Sequence, residues 1–191
     1  MRTGLFYAII TYLMWGMLPL YFNLMADASP VEIVASRVVF SLIFCAALLP
    51  MLKLTGGFVE VLRNRRATLV LFAASLLIGV NWFIYVLATT TGRTIDASLG
   101  YFINPLVSVS LGVIFLKERL RVAQWVAVGL SAVAVLIMSV VYGQVPFIGL
   151  GLAFSFGIYG LLKSRVGGTV APVVSLSLET LLLIPVALLA L

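Results

Sequence analysis

Arg37 and Glu179 each stand inside a long apolar run, Arg37 seven residues after Pro30 and Glu179 seven residues after Pro172. In a helix that places each about 10 Å along the axis, at about 1.5 Å per residue. An ionisable side chain at such a depth in lipid is costly, so it marks a substrate path, a proton relay or a pairing partner. Glu179 has the chemistry to bind a cationic group or a coupling proton, and Arg37 to hold an anionic group or set a cavity's potential. The alternative is a structural role for both, or for Arg37 a stem that reaches out to the membrane surface. Polar and aromatic residues recur at helical spacing in other runs. Asn81 and Tyr85 are four apart with Trp82 beside them. Ala97, Tyr101, Asn104, Ser108 and Gly112 share one helix face, as do Tyr12, Trp15, Pro19 and Asn23. A buried Asn facing lipid is costly, so Asn81 and Asn104 are expected to face other helices. Trp15, Arg37, Asn81, Tyr85, Tyr101, Asn104 and Glu179 are therefore the candidate cavity-lining, substrate-binding residues. Pro19 and Pro105 fall within helical runs, where proline removes a backbone hydrogen bond and is expected to kink the helix.

The elements that must carry these residues follow from composition. The chain has 191 residues, of which 63% are hydrophobic and 9% charged. A soluble domain is about 45–50% apolar and about 25% charged, so this is the composition of an integral membrane protein. The apolar runs predict an all-α fold with helices at about 4–25, 31–52, 68–91, 96–116, 121–142, 147–163 and 172–191, each near the ~20 residues that span a hydrocarbon core. The alternating pattern of membrane β-strands is absent. The first run is longer than the apolar stretch of a signal peptide and reads as a spanning helix. Histidine is absent and Cys45 is the only cysteine, which excludes a Ser-His triad, His ligation and an internal disulfide. Cys45 reads as a small buried apolar residue. No phosphate-binding glycine loop is present, and no cofactor or metal is expected.

The twelve basic residues outnumber six acidic ones. With the N-terminus inside, ten fall on the cytoplasmic side: Arg2, Lys53, Arg63, Arg65, Arg66, Lys117, Arg119, Arg121, Lys163 and Arg165. Arg93 alone falls outside, and Arg37 lies within a helix. That asymmetry is a positive-inside signal, and it accounts for the net charge of +6 without nucleic acid. The stretch from Lys53 to Ala67 reads as a short interfacial segment on the cytoplasmic face. Trp125 and Tyr142, at helix ends, read as interfacial belt residues.

The chain also matches itself. Thr11-Tyr12-Leu13-Met14-Trp15-Gly16-Met17-Leu18 parallels Ser155-Phe156-Gly157-Ile158-Tyr159-Gly160-Leu161-Leu162, and the Pro30/Arg37 spacing parallels Pro172/Glu179. The period is near 143 residues and five helices separate the copies, so the second copy enters the membrane from the opposite side. Inverted repeats of this kind are a transporter signature, with the substrate site near the midplane between them. Residues 1–143 are expected to form a first five-helix repeat. Residues 144–191 are expected to begin a second, incomplete one, two helices of five, in a protein of about ten helices.

Gly100-Tyr101-Phe102-Ile103-Asn104-Pro105, following Asp96-Ala97-Ser98-Leu99 and leading to Phe115-Leu116-Lys117-Glu118-Arg119-Leu120, resembles the fourth helix of EamA-type transporters, and more narrowly of the RarD type in the drug/metabolite transporter superfamily. Trp15-Gly16 with Pro19, Ile78-Gly79-Val80-Asn81-Trp82, Gln124-Trp125 and Leu178-Glu179-Thr180 resemble the same group. Two positions depart from it: Ser36 stands where a His is common, and Asp96 replaces the more usual Glu. The resemblance implies ten helices in two inverted five-helix repeats, in the bacterial inner membrane, with both termini cytoplasmic. The expected function is secondary transport, with export of a small organic metabolite or drug by alternating access. The rival readings are a membrane-embedded enzyme acting on lipid and a non-transporting structural subunit. An enzyme needs clustered catalytic groups, and Asp27, Glu32, Glu60, Asp96, Glu118 and Glu179 are scattered along the chain.

Overall fold

A computed structural model describes residues 2–143, 146–168 and 170–189. The side chains of Arg2 and Tyr142 and the expected helix end at 191 lie outside the described residues. Eight helices follow one another: α1 (Arg2–Asn23), α2 (Pro30–Met51), α3 (Thr55–Arg63), α4 (Arg65–Thr90), α5 (Thr94–Phe115), α6 (Val122–Tyr142), α7 (Phe147–Ser164) and α8 (Pro172–Leu189). Seven of them, all but α3, are long and apolar enough to cross a membrane, as the apolar runs predict. No strand occurs among the described residues.

Local signals set the ends. Ser29 and Glu32 form a capping box at the start of α2: Glu32 N donates to Ser29 Oγ at 3.2 Å, and Ser29 N donates to Glu32 Oε2 at 2.9 Å. Two otherwise orphaned backbone donors are thereby satisfied. The expected start of the third spanning helix, at 68, is late by three residues. Asn64 caps α4 by accepting from Ala67 N at 3.2 Å, so the helix begins at Arg65. The preceding stretch, expected as a short interfacial segment, holds the nine-residue amphipathic helix α3, which packs on α4 and α8. Gly143 ends α6 at φ 64°, a left-handed conformation that glycine adopts at little cost. α1 and α5 run as continuous helices through Pro19 and Pro105.

α4 is the hub: it packs against α1, α2, α3, α5, α7 and α8. α7 packs on α4 and α5, and α8 on α2 and α4. α6 touches only α5 extensively, and its span is otherwise bare. The core is divided along the bundle. One end gathers Phe22, Ile33, Tyr85, Val86, Ala88, Ala97 and Leu152. The other gathers Leu49, Leu71, Val166, Val170, Val174 and Leu178, with Phe58 and Val61 of α3 against them. Between them Ala35, Val38, Ile78, Leu183 and Ala187 join α2, α4 and α8. Cys45 is buried.

The closest helix contact is built on small residues, which let backbones approach where no hydrophobic force separates helix from lipid. At the crossing of α5 and α7 a Cβ on Gly100 would lie 2.9 Å from Leu152 Cβ and 3.1 Å from the Gly149 carbonyl oxygen. Farther along, a Cβ on Gly157 would lie 2.8 Å from Val107 Cγ1. The packed face of α5 is thus Gly100, Ile103 and Val107. The expected inward stripe is split: Ala97 and Gly112 are buried, Asn104 is half-buried, and Tyr101 and Ser108 are exposed. The Cβ-less backbone of Gly100 draws α5 to α7 on its own face and leaves the tyrosine beside it.

Candidate functional site within the helix bundle

The charges within the spans are held in two places. Arg37, on the second turn of α2, reaches α4, where its guanidinium carbon lies 4.2 Å from the centre of the Trp82 ring. One turn farther along α4 is Tyr85, whose ring meets Tyr101 of α5 edge to face at 6.0 Å and Phe22 of α1 at 6.1 Å. Trp82 stacks on the cation, and Tyr85 and Tyr101 continue the aromatic cluster beside it. Stacking of this kind offsets part of the cost of a partly desolvated charge. Among the described residues Arg37 has no carboxylate partner.

Glu179 is buried on α8, at 2% exposure, and both its oxygens are engaged. Lys163 Nζ donates to Oε1 at 2.6 Å, Ser175 Oγ donates to Oε1 at 2.9 Å, and Tyr159 OH donates to Oε2 at 3.1 Å. Lys163 also donates to Ser175 Oγ. Tyr159 and Lys163 are four apart on α7, and Ser175 and Glu179 four apart on α8, so each pair occupies one helix face. Lys163 was expected at the cytoplasmic surface among the topogenic charges. Its head group instead turns inward to the carboxylate, because an unpaired buried carboxylate is far costlier than one lost surface lysine. Arg37 and Glu179 do not meet. Each lies two turns from its helix start, toward opposite ends of the bundle, and Trp82 and Tyr159 pack on the same intervening core.

The other expected site residues divide. Asn81 stitches α4 to α7: its Nδ2 donates to the Leu152 carbonyl at 3.0 Å and to Ser155 Oγ at 2.9 Å. Asn104 accepts from Ser108 Oγ at 3.2 Å within α5. Trp15 is exposed on α1, edge to face with Tyr12. So Arg37, Tyr85 and Tyr101 come together, while Asn81, Asn104, Trp15 and Glu179 stand apart from them. Trp82, noted in the sequence beside Asn81, and Tyr159, Lys163 and Ser175 are the neighbours of Arg37 and Glu179 that were not among the expected site residues. The acids in the first turns of α2 and α5 have local roles: Glu32 caps α2, and Asp96 pairs with Arg93 at 2.8 Å. The Glu118 carboxylate folds over the bare backbone of Gly112.

Residues 2–140 match the model of the EamA-like transporter family. The chain belongs to the EamA-like transporter family. Its EamA relatives include an uncharacterized transporter, YojE, of Bacillus subtilis, 42% identical over 190 residues, covering 98% of this chain and 63% of the relative. Protein RarD of Streptomyces exfoliatus is 49% identical over 164 residues, 86% of this chain and 52% of that protein. Protein RarD of Escherichia coli is 38% identical over 186 residues, 97% of this chain and 62% of that protein. These relatives place the chain in the drug/metabolite transporter superfamily, as a multi-pass bacterial membrane protein. The chain spans less than two thirds of the length of these three relatives. No solved structure matches it.

Proposed function

We propose that this EamA member is a secondary transporter, not an enzyme, that exports a small organic metabolite or drug across the bacterial inner membrane. Residues 1–143 and 144–191 belong to two inverted repeats, and rocking of one against the other gives alternating access. The N-terminus is cytoplasmic, by the ten-to-one distribution of loop charge. Trp15, Arg37, Asn81, Tyr85, Tyr101, Asn104 and Glu179 line or support the path. The observation that carries this reading is the pair of charged stations inside an apolar bundle. Arg37 sits against Trp82 toward one end, and Glu179 sits with Lys163 toward the other. A bundle that served only as scaffold has no need to hold charge at those depths.

The test is counterflow in proteoliposomes containing the full-length protein, with a panel of labelled metabolites and drugs. Saturable exchange of at least one compound is expected, with loss or uncoupling in Glu179→Gln at unchanged insertion. Absence of exchange across the panel, together with turnover of the surrounding lipid, would replace transport by the enzymatic reading.

A further inference from the structure

We infer that Arg37 is the docking point for the anionic group of an aromatic organic anion, with Trp82, Tyr85 and Tyr101 receiving its ring and its oxygen atoms. The inference rests on the transporter reading and names the substrate class of that path. Of the two charged stations deep in the bundle, one is already neutralised. Glu179 has Lys163 on it, with Ser175 and Tyr159 completing its hydrogen bonds. A cationic substrate would have to displace a lysine held at 2.6 Å, in competition with a charge the protein supplies itself. Arg37 has nothing equivalent. Its guanidinium lies over the Trp82 ring, with Tyr85 one turn farther along α4 and Tyr101 in ring contact with that tyrosine. A π face meets the charge of a guanidinium but offers no oxygen acceptor to its five N–H donors.

Those donors are arranged for two parallel hydrogen bonds to a carboxylate or a phosphate-type oxyanion. Tyr85 and Tyr101, in edge-to-face contact with each other on the same side of the bundle, carry hydroxyl donors. Trp82 is half-buried and Tyr101 is 52% exposed, so a ring carried by the anion has an aromatic face to stack on and a side from which to enter. The same oxyanion chemistry is offered by a lipid headgroup, which lacks the aromatic ring.

The experiment is isothermal titration of the full-length protein in dodecyl maltoside, a detergent without phosphate. The probes are benzoate, benzamide, benzylammonium, acetate and inorganic phosphate. Saturable benzoate binding is expected, at least tenfold tighter than each of the other four. Arg37→Gln should weaken benzoate at least tenfold, and Arg37→Lys by less, since it keeps the charge and loses the fork. Tyr101→Phe, at an exposed position that folding tolerates, should weaken it several-fold. Equal binding of benzamide or benzylammonium overturns the anion. Equal binding of acetate or phosphate overturns the aromatic part and leaves a site that a lipid headgroup fills. The probe series uses the unaltered protein, so it decides the matter even where an Arg37 variant fails to fold. Counterflow of a neutral or cationic compound, insensitive to Arg37→Gln, would overturn the anion while the transporter reading stands.

Discussion

Lys163 and Glu179 form a 2.6 Å ion pair between α7 and α8, two helices that both pack on α4. The lysine side chain is 25% exposed and the glutamate 3%, so the pair is anchored on the acid. Lys163→Met, which leaves the carboxylate alone, should destabilise the protein by about 2 kcal/mol or more. This is below the 3–5 kcal/mol typical of breaking a fully buried pair, because water reaches the lysine. The Lys163→Met/Glu179→Gln double variant should recover most of that loss. Chemical unfolding in micelles of the two single variants and the double one measures the coupling. Additive losses would show that the pair contributes no stability.

The α5–α7 crossing predicts a sharp contrast between glycines. Gly100→Ala puts a methyl group 2.9 Å from Leu152 Cβ and should cost about 1–3 kcal/mol by overpacking. Gly16 and Gly129 have open space where a Cβ would go, and alanine there should leave stability unchanged or raise it slightly, since alanine favours helix. Thermal unfolding of the three variants side by side provides the comparison.

Asn81 and Asn104 should separate in the same way. Asn81→Leu removes two bonds that join α4 to α7 and should cost about 0.6–1.7 kcal/mol, the range for polar contacts between membrane helices. Asn104→Leu removes one bond within its own helix and should cost less than half as much. A larger loss at Asn104 would contradict the assignment of Asn81 as the stitch.

Orientation is open to direct measurement. Reporters fused after Arg66 and Arg119 should report cytoplasm, and reporters fused after Gly92 and Gly143 the outer side, from the distribution of basic residues. The opposite pattern would invert the topology and remove the inverted-repeat reading.

The seven spans were legible in the sequence because each is a long run of apolar residues, and length alone decides that a helix crosses lipid. Which helix meets which was not. On a membrane helix apolar residues face lipid as well as protein, so periodicity does not mark the packed side. On α2 Phe40 and Phe44 are exposed while Val38 and Cys45 are buried. α5 shows the same difficulty, since a polar stripe through Tyr101 and Ser108 drew attention from the glycine that sets the packing. Arg37 and Glu179 stood out because a charge amid apolar residues is conspicuous. Lys163 did not, since it ends a helix among residues whose charge topology already explains. The signal was present in the matched spacing of Tyr159 with Lys163 and Ser175 with Glu179. It needed the knowledge that α7 and α8 present those faces to each other.

Gly100 and Gly149 bring two backbones together with no side chain between them. Such a contact has nothing to repack, so α7 has little freedom to slide along α5 there, but it can turn about the point of touch. The crossing lies at the end of the bundle that holds Phe22, Ala97 and Leu152. The rocking proposed for the region after Gly143 against the region before it has to accommodate this contact and the one at Gly157, both of which tie α7 to α5.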